Sequence, residues 1–203
     1  MTGRTPSFPL ALPPAFFDRD PRRVARDLLG KLVVRRLSRQ ILTARVVETE
    51  AYLGKNDPAA HSFSGRTPRN AVLFGPPGYA YVYFIYGNHY CLNVSCLPDN
   101  EAGGVLFRAV EPVTGVSAMA KARGLPPVSA PRLTNGPGKL TEALSITRAD
   151  NGLNLTDATQ SLYLAEDDFP RPRIGATTRV GITKAAHLKL RYFIRDNPFV
   201  SKP

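Results

Sequence analysis

The chain has 203 residues, enough for one domain with a hydrophobic core but few for two independent domains. Its 27 Lys and Arg residues outnumber 16 Asp and Glu residues, and the net charge of +11 favours a polyanionic partner such as nucleic acid over a merely basic, solvated surface. Because the sequence has neither a long apolar run nor metal-site spacings, we expect no membrane anchor, no signal peptide and no bound metal.

The first part of the chain predicts a flexible tail followed by a short helix. Residues 1–14 are rich in proline and glycine, so we expect a flexible tail there and the folded domain at residues 15–203. Asp20 is a good helix cap, Pro21 suits the first helical position, and Gly30 is typical of a helix end. We therefore predict an amphipathic helix before the first strand.

Strand-like runs rich in Val, Ile, Tyr and Phe recur along the rest of the chain. They cover residues 31–37, 41–52, 79–86, 89–97, 104–110, 161–165, 179–182 and 189–195. Gly87 and Asn88 are turn residues that predict a hairpin, and helices are expected at residues 113–123 and after Gly136. Because helices and strands do not alternate regularly, the pattern favours a mixed fold over a doubly wound one.

Glu48 and Glu50 form a closely spaced carboxylate pair on the second predicted strand. Residues two apart on a strand face the same side of the sheet, so the two side chains are expected to lie close together. One of them is a candidate general base, whose pKa would be raised by burial unless a cation such as Arg108 compensates. A salt-bridged or solvated pair fits the spacing as well, and the spacing does not select either glutamate.

Tyrosines alternate along the predicted hairpin. Tyr79, Tyr81 and Tyr83 share one strand face, which is typical of a half-buried sheet; in a basic protein such rings are also candidates for stacking on bases. Tyr86 lies next to the hairpin turn, where a side chain has little core to pack against. It is therefore a candidate wedge between the bases of a duplex.

Loop residues supply candidate contacts to phosphates and to a ligand. Arg66 and Arg69 occupy the long irregular loop after the second strand, and Gly138 with Lys139 opens a helix in the segment NGPGKL. Each also fits a plain structural interpretation, as a solvated charge or a helix start. His61 lies in the same long loop and is a candidate donor to a ligand, although a lone histidine is more often structural.

Five segments together carry a resemblance that none of them carries alone. They are VVETEAYLGKNDPAAHSFSGRTPRN, YVYFIYGNHYCLNVS, VLFRAVEP, NGPGKLTEAL and RVGI. In this order and spacing they resemble the alkyladenine (3-methyladenine) DNA glycosylase family, from about residue 22 to residue 201. The resemblance implies an enzyme that flips a damaged purine out of duplex DNA and hydrolyses its N-glycosidic bond with water, which starts base excision repair.

The resemblance also assigns the reacting groups. Glu50 matches the general base of the family, which leaves Glu48 as a structural residue. Arg108, in VLFRAVEP, matches the arginine that orients this base and the attacking water, and the backbone carbonyl of Val180 would be a further contact of that water. Because the matched motifs contain no lysine nucleophile, a monofunctional glycosylase is implied.

A pocket for the flipped base follows from the same resemblance. Tyr52, His61 and Tyr83 match the residues that hold the base, and His61 would read the edge of the purine. Asn93 matches the asparagine that disfavours the 2-amino group of normal guanine, and Tyr86 matches the residue that fills the gap in the base stack. The segment TKAAHLKL, after RVGI, is shorter and more basic than the family pattern, so the C-terminal wall of the pocket is left open.

We therefore expect an α/β mixed (α+β) fold, a single domain with a curved antiparallel β-sheet surrounded by helices and with a protruding β-hairpin. The expected substrates are 3-methyladenine and 7-methylguanine, with hypoxanthine and ethenoadenine as further candidates. The implied partner is double-stranded DNA, no cofactor is implied, and we expect an intracellular monomer, cytoplasmic or, in a eukaryote, nuclear. A non-catalytic nucleic-acid-binding module and a nucleoside hydrolase are the alternatives.

Overall fold

An antiparallel β-sheet organises the structure, a computed structural model that describes residues 9–38, 40–85, 87, 89–127 and 130–201. Within these residues the strands are β1 (Leu32–Leu37), β2 (Gln40–Tyr52), β3 (Ala80–Ile85), β4 (His89–Cys96), β5 (Gly103–Thr114), β6 (Leu162–Ala165), β7 (Ile174–Thr177) and β8 (Arg191–Ile194). The helices are α1 (Pro14–Phe17), α2 (Pro21–Asp27), α3 (Val116–Ala122) and α4 (Pro137–Ala143). Short 3-10 turns lie at Gly54–Asn56, Ala71–Phe74, Pro131–Leu133 and Arg148–Asp150.

Strand β2 is the central member of the sheet. The strands pair in the order β3-β4-β5-β2-β1-β6, all antiparallel, and β8 pairs with both β2 and β7. One edge of β2 pairs with β1 through residues 40–45 and then with β8 through residues 48–50. Register shifts around Glu48, in the pairing of β2 with β5, mark a β-bulge. The predicted α+β fold, a single domain on a curved antiparallel sheet, is confirmed.

The centre of the sheet is buried on both faces. All residues from 46 to 51 of β2 are buried, and α2 packs against this strand. β5 is buried from Gly103 to Val110, and α4 packs against both β4 and β5. Because consecutive residues point to opposite faces, neither face offers a solvated position to the polar side chains here. Their charges must therefore be paired within the protein.

Helix α2 begins at the predicted cap. The Asp20 side chain accepts a hydrogen bond from the backbone amide of Arg22, at 2.8 Å, which satisfies one of the free amides of the first helical turn. Gly30, which the sequence placed at the helix end, has a φ of +93°. Only glycine adopts this conformation readily, so the residue type fits the turn into β1.

The packed part of the chain begins within the predicted tail. Leu12 is fully buried, and Ala11 forms an isolated β-bridge with Ala165 of β6. Residues 11 and 12 are therefore anchored on the sheet rather than free. Residues 1–8 lie outside the described part of the chain, so the boundary predicted between tail and domain stays a prediction.

The helix expected at residues 113–123 is shorter, since it begins at Val116. β5 continues to Thr114 and keeps pairing with β2, so the first residues of the expected helix belong to the sheet. Gly115 then turns the chain with a φ of +79°. The apolar residues across this junction fit a helix as well as a strand, and pairing with β2 makes residues 113 and 114 part of the strand.

The strand expected at residues 179–182 is wrong. The strand in this region is β7, which ends at residue 177 and pairs with β8. Residues 178–183 are irregular instead, because Arg179 turns its side chain into the protein and the Val180 amide bonds to a side chain of β2. The segment therefore makes its contacts with the interior of the molecule and does not form a strand at the edge of the sheet.

Candidate active site

A cavity of about 440 Å³ lies beside the C-terminal half of β2. Strands β3, β4 and β5 form part of its wall, and the long loop after β2, the start of α4 and residues 180–182 complete it. The residues that the resemblance assigned to the water and the base all line it: Glu50, Tyr52, His61, Tyr83, Asn93, Arg108 and Val180. The fold thus brings separate stretches of chain together around one space.

Glu50 is fully buried and receives donors on both carboxylate oxygens. The amide of Val180 donates to Oε1 at 2.8 Å, and the Tyr52 hydroxyl donates to Oε2 at 3.0 Å. The Arg108 guanidinium lies against the same carboxylate, with Nη1 at 3.3 Å from Oε1. These contacts fix the orientation of the carboxylate at the wall of the cavity. The contact from Val180 is made by its amide, so the expectation about its carbonyl and a water stays a prediction.

Burial raises the pKa of Glu50 above its ordinary value. The Arg108 charge and the hydrogen bonds from Val180 and Tyr52 act in the opposite direction, and burial outweighs them. Burial also raises the pKa of the Tyr52 hydroxyl well above its usual range, so this group stays protonated and can donate. A carboxylate with a raised pKa is a stronger base than one in water, and it faces the cavity.

The second carboxylate of the pair differs in its surroundings. Glu48 is fully buried, and its Oε1 accepts a hydrogen bond from Nε of Arg108 at 3.1 Å. Arg108 therefore contacts both glutamates, as expected for side chains that share one face of β2. Glu48 lies behind the cavity wall, whereas Glu50 forms part of it. The structure thus distinguishes Glu48 from Glu50, which their spacing in the sequence did not do.

Aromatic rings form one side of the cavity. The His61 and Tyr83 rings meet edge to face, with centroids 4.6 Å apart, and Nδ1 of His61 lies 3.0 Å from the Tyr81 hydroxyl. Desolvation against these rings, with the charge of Arg69, lowers the pKa of His61. The imidazole is therefore neutral at neutral pH and adds no charge to the pocket. Tyr81 was assigned to the sheet face by its sequence pattern, and it also orients the histidine.

Asn93 is held in one orientation at the wall. Its side chain is buried, and its amide nitrogen donates to the backbone carbonyl of Tyr81 at 3.1 Å. Asn93 and Tyr81 are paired across β3 and β4, so the regular strand pairing of the hairpin fixes the position of the amide. The amide therefore occupies a fixed position in the wall of the cavity.

A buried ion pair that the sequence analysis missed supports the pocket. Arg179 and Asp57 both have fully buried side chains, and Nη2 of the arginine donates to Oδ1 of Asp57 at 2.8 Å. The same guanidinium donates to the Ala51 carbonyl at 3.0 Å and lies 4.6 Å from the centroid of the Tyr52 ring. Burial raises the pKa of Asp57, but the hydrogen bonds and charge of Arg179 outweigh it and hold that pKa below its usual range.

The signal for this pair was present but weak. Arg179 directly precedes Val180 in the motif RVGI, and Asp57 lies in a loop rich in polar residues. The two are separated by 122 residues, and nothing in local spacing joins them. Through this pair, the backbone that carries the Val180 amide is anchored to the backbone that follows Tyr52.

The candidate phosphate contacts divide into two groups. Gly138 and Lys139 line the cavity, whereas Arg66 and Arg69 are exposed and do not line it. The Arg69 guanidinium lies 5.6 Å from the centroid of the Tyr83 ring, which is part of the cavity wall. A Cβ on Gly138 would lie 2.8 Å from Cγ of His89, so only glycine allows α4 this close to the hairpin. The candidate wedge, Tyr86, lies outside the described residues.

In the described part of the chain, no group of three or more His, Cys, Asp or Glu residues is arranged to hold a metal ion. No helix among the described residues is long and apolar enough to cross a membrane. Cys91 and Cys96 are free, buried thiols, and Cys91 lines the cavity beside Tyr83.

Comparison with known families decides which enzyme this cavity belongs to. The model of the family described as "Methylpurine-DNA glycosylase (MPG)" matches residues 15–198 of the chain. The chain belongs to the methylpurine-DNA glycosylase family. The resemblance found in the sequence is confirmed, and the protein is a DNA glycosylase, an enzyme of DNA repair that hydrolyses N-glycosidic bonds.

Curated relatives of this glycosylase match it along almost their whole length. A protein of Koribacter versatilis is 58% identical over 191 residues, covering 94% of this chain and 92% of the relative. One of Methanoculleus marisnigri is 48% identical, with 95% and 100% covered. One of Chlorobium phaeobacteroides is 45% identical, with 94% and 96% covered. Each carries the name "Putative 3-methyladenine DNA glycosylase".

The ion pair behind the glycosylase pocket yields a stability prediction. In an Asp57→Asn variant, the charge of Arg179 remains buried without a counter-charge, so the free energy of unfolding should fall by about 3 kcal/mol. Urea unfolding followed by circular dichroism measures this difference. Asp99→Asn, at an exposed position, is the control and should change stability by less than about 0.5 kcal/mol. Equal stabilities of the two variants would contradict the assigned importance of the pair.

Proposed function

We propose that this glycosylase flips alkylated purines out of duplex DNA and hydrolyses the N-glycosidic bond with a water that Glu50 activates. The observation that carries the proposal is the surroundings of Glu50. A fully buried carboxylate, oriented by Arg108, Val180 and Tyr52, borders a cavity of about 440 Å³ with aromatic walls. A purine base is flat and aromatic, which suits such walls.

The proposed reaction needs one carboxylate. Glu50 accepts a proton from a water molecule, the water oxygen forms a bond to C1′ of the deoxyribose, and the bond from C1′ to the purine nitrogen breaks. The base leaves with the electron pair of that bond. An alkyl group at N3 or N7 puts positive charge on the purine, so the base departs without protonation by a second acid. The negative charge of Glu50 also stabilises the positive charge that develops on the sugar.

Arg108 and Val180 have a supporting role in this proposal. Arg108 balances the charge of Glu50, which would otherwise be protonated in its buried surroundings. The amide of Val180 holds the carboxylate oxygen nearest to residues 180–182, so the lone pairs of the carboxylate keep a fixed direction. A fixed base removes the need to order it during the reaction, which lowers the barrier.

The proposed pocket recognises the purine by shape as well as by stacking. The rings of Tyr52 and Tyr83 would stack on the flipped base, and the neutral His61 would contact its edge without repelling a cationic lesion. Asn93 would collide with an amino group at C2, which guanine has and adenine lacks. Flipping costs a few kcal/mol and costs least for a poorly stacked, damaged base, so this step itself favours lesions.

The duplex would be bound through its phosphates. Lys139 lines the cavity, Arg69 lies near Tyr83 of its wall, and Arg66 is exposed in the same loop as Arg69. With the net charge of +11, these residues would give the DNA-facing side positive charge. The backbone of Gly138 is a further phosphate contact in the proposal. Tyr86 would fill the space that the flipped nucleotide leaves in the stack. We propose a monomer, which removes the base without cleaving the strand.

The role of Glu50 is tested by Glu50→Gln. Gln keeps the shape of the side chain but cannot accept the proton, so single-turnover release of 7-methylguanine from a duplex should fall by about 10²- to 10⁴-fold. Binding of the same duplex, measured by fluorescence anisotropy, should stay close to that of the unmodified protein. Glu101→Gln, at an exposed position, is the matched control. Release at the unmodified rate in Glu50→Gln would remove this residue as the base.

The raised pKa of Glu50 predicts the pH dependence of release. Glu50 acts in its ionised form, so the rate should fall as the pH drops through a pKa above the ordinary value of 4.5. Single-turnover rates between about pH 4 and pH 8 measure this midpoint, since they report the chemical step. The same duplex without protein corrects for spontaneous loss of the base in acid. A midpoint below 4.5 would contradict the assignment.

The discriminating role of Asn93 is tested by Asn93→Ala. Removing the side chain opens the wall at the C2 edge, so release of unmodified guanine should rise about tenfold, while release of 3-methyladenine, which has no 2-amino group, stays nearly unchanged. Asn151→Ala is the matched control, because Asn151 also bonds to the hairpin, through the Val82 amide at 2.9 Å. Equal guanine release by both variants would show that Asn93 has only a structural role.

A further inference from the structure

Glu48, which the resemblance leaves with a structural role, accepts four hydrogen bonds, which fill the acceptor capacity of a carboxylate. It lies fully buried behind the cavity wall, two residues before Glu50 on β2. Its Oε1 accepts from Nε of Arg108 at 3.1 Å, from Nε of Arg191 at 2.6 Å and from the Ser201 hydroxyl at 2.8 Å. Its Oε2 accepts from the Ser201 amide at 2.7 Å. With both oxygens occupied, Glu48 cannot turn towards the cavity.

The position of Glu48 determines the position of Arg108. The guanidinium is planar and rigid, so an arginine whose Nε is fixed has a fixed direction for its two terminal nitrogens. Nε of Arg108 bonds to Glu48, and Nη1 of the same group lies 3.3 Å from Oε1 of Glu50. The contact between Arg108 and the proposed base therefore depends on the carboxylate behind it.

The last described residues of the chain hold Glu48 in turn. Arg191 donates from Nε to Glu48 and from Nη2 to the Ser201 carbonyl, at 2.7 Å, while Ser201 donates to Glu48 through both its amide and its hydroxyl. These contacts close a ring of hydrogen bonds, and the buried Phe199 anchors the segment in the core. The match to the family model ends at residue 198, so Ser201 lies outside that match.

The charges around the two glutamates are balanced. Glu48 and Glu50 face Arg108 from β5 and Arg191 from β8, which is paired with Glu50 in the sheet. The titratable and charged groups that face or act on Glu50 from the surrounding elements are Glu48, Tyr52, Cys91, Arg108, Arg179 and Arg191. Because Arg108 also interacts with Glu48, its positive charge stabilises the ionised form of Glu50 less, and the negative charge of Glu48 repels that of Glu50. Both effects keep Glu50 a stronger base than Arg108 alone would allow.

We infer that Glu48 is a positioning residue for the hydrolysis. It holds the Arg108 guanidinium where that group contacts both carboxylates, and Arg191 and Ser201 hold Glu48 in place. This inference rests on the proposed role of Glu50 as the base. Glu48 acts through Arg108 and makes no contact of its own with the cavity among the described residues. Two properties of Glu50 thus depend on it, the direction of its carboxylate and its basicity.

Two substitutions distinguish the effect of the charge of Glu48 from the effect of its side-chain length. Glu48→Gln removes the charge and sets an amide against the Ser201 donors, whereas Glu48→Asp keeps the charge and shortens the side chain. Release of 7-methylguanine should slow by about 100-fold in both variants, because Arg108 shifts. The titration of the Glu50 carboxyl, followed by ¹³C NMR in the free protein, should move to lower pH in Glu48→Gln only, because the negative charge of Glu48 is then absent. Glu50→Gln assigns the signal.

A second buried ion pair provides the control. Asp150 pairs with Arg35 at 2.7 Å, so Asp150→Asn also removes a buried counter-charge and should lower stability. It should leave the Glu50 titration and the release rate of the folded protein unchanged. The inference is overturned if Glu48→Gln titrates at the wild-type pH and slows release no more than Asp150→Asn. Because the NMR titration uses no DNA, it tests the dependence of Glu50 on Glu48 separately from the proposed reaction, which Glu50→Gln tests.

Discussion

Two carboxylates lie side by side in the buried centre of the sheet, and the Arg108 guanidinium contacts both of them. A buried charge is tolerated only with partners, so this part of β2 dictates which residues the neighbouring strands and the C-terminal segment must supply. Arg108 comes from β5 and Arg191 from β8, and both side chains are themselves buried. The cavity lies beside these paired charges, since Glu50 and Arg108 both line it.

The pocket also depends on backbone that belongs to no strand or helix. The irregular residues 178–183 supply the Val180 amide to Glu50, and Arg179 anchors them to Asp57 in another irregular loop. The same guanidinium lies on the face of the Tyr52 ring. One buried ion pair therefore supports both the proposed base and a wall of the proposed base pocket. Rigid anchoring gives loop residues the precision that regular structure gives to strands.

Local patterns in the sequence predicted the local structure well. The cap at Asp20, the hairpin around Gly87 and the strand that carries both glutamates depend on neighbouring residues, which the sequence displays directly. The choice of Glu50 over Glu48 came from family resemblance, since both side chains share a face and only their distant partners differ. The strand expected at residues 179–182 was wrong for a related reason. Its branched residues fit a strand, but a partner 122 residues away draws Arg179 inward.

The Ser201 contact to Glu48 joins residues 153 positions apart, which has a consequence for how the enzyme is made. A ribosome releases the N-terminal strands first, and they can pair before the C-terminal segment exists. Until residue 201 emerges, the carboxylate behind Arg108 lacks the donors that complete its surroundings. The surroundings of this carboxylate are therefore completed later than the strand pairing around it.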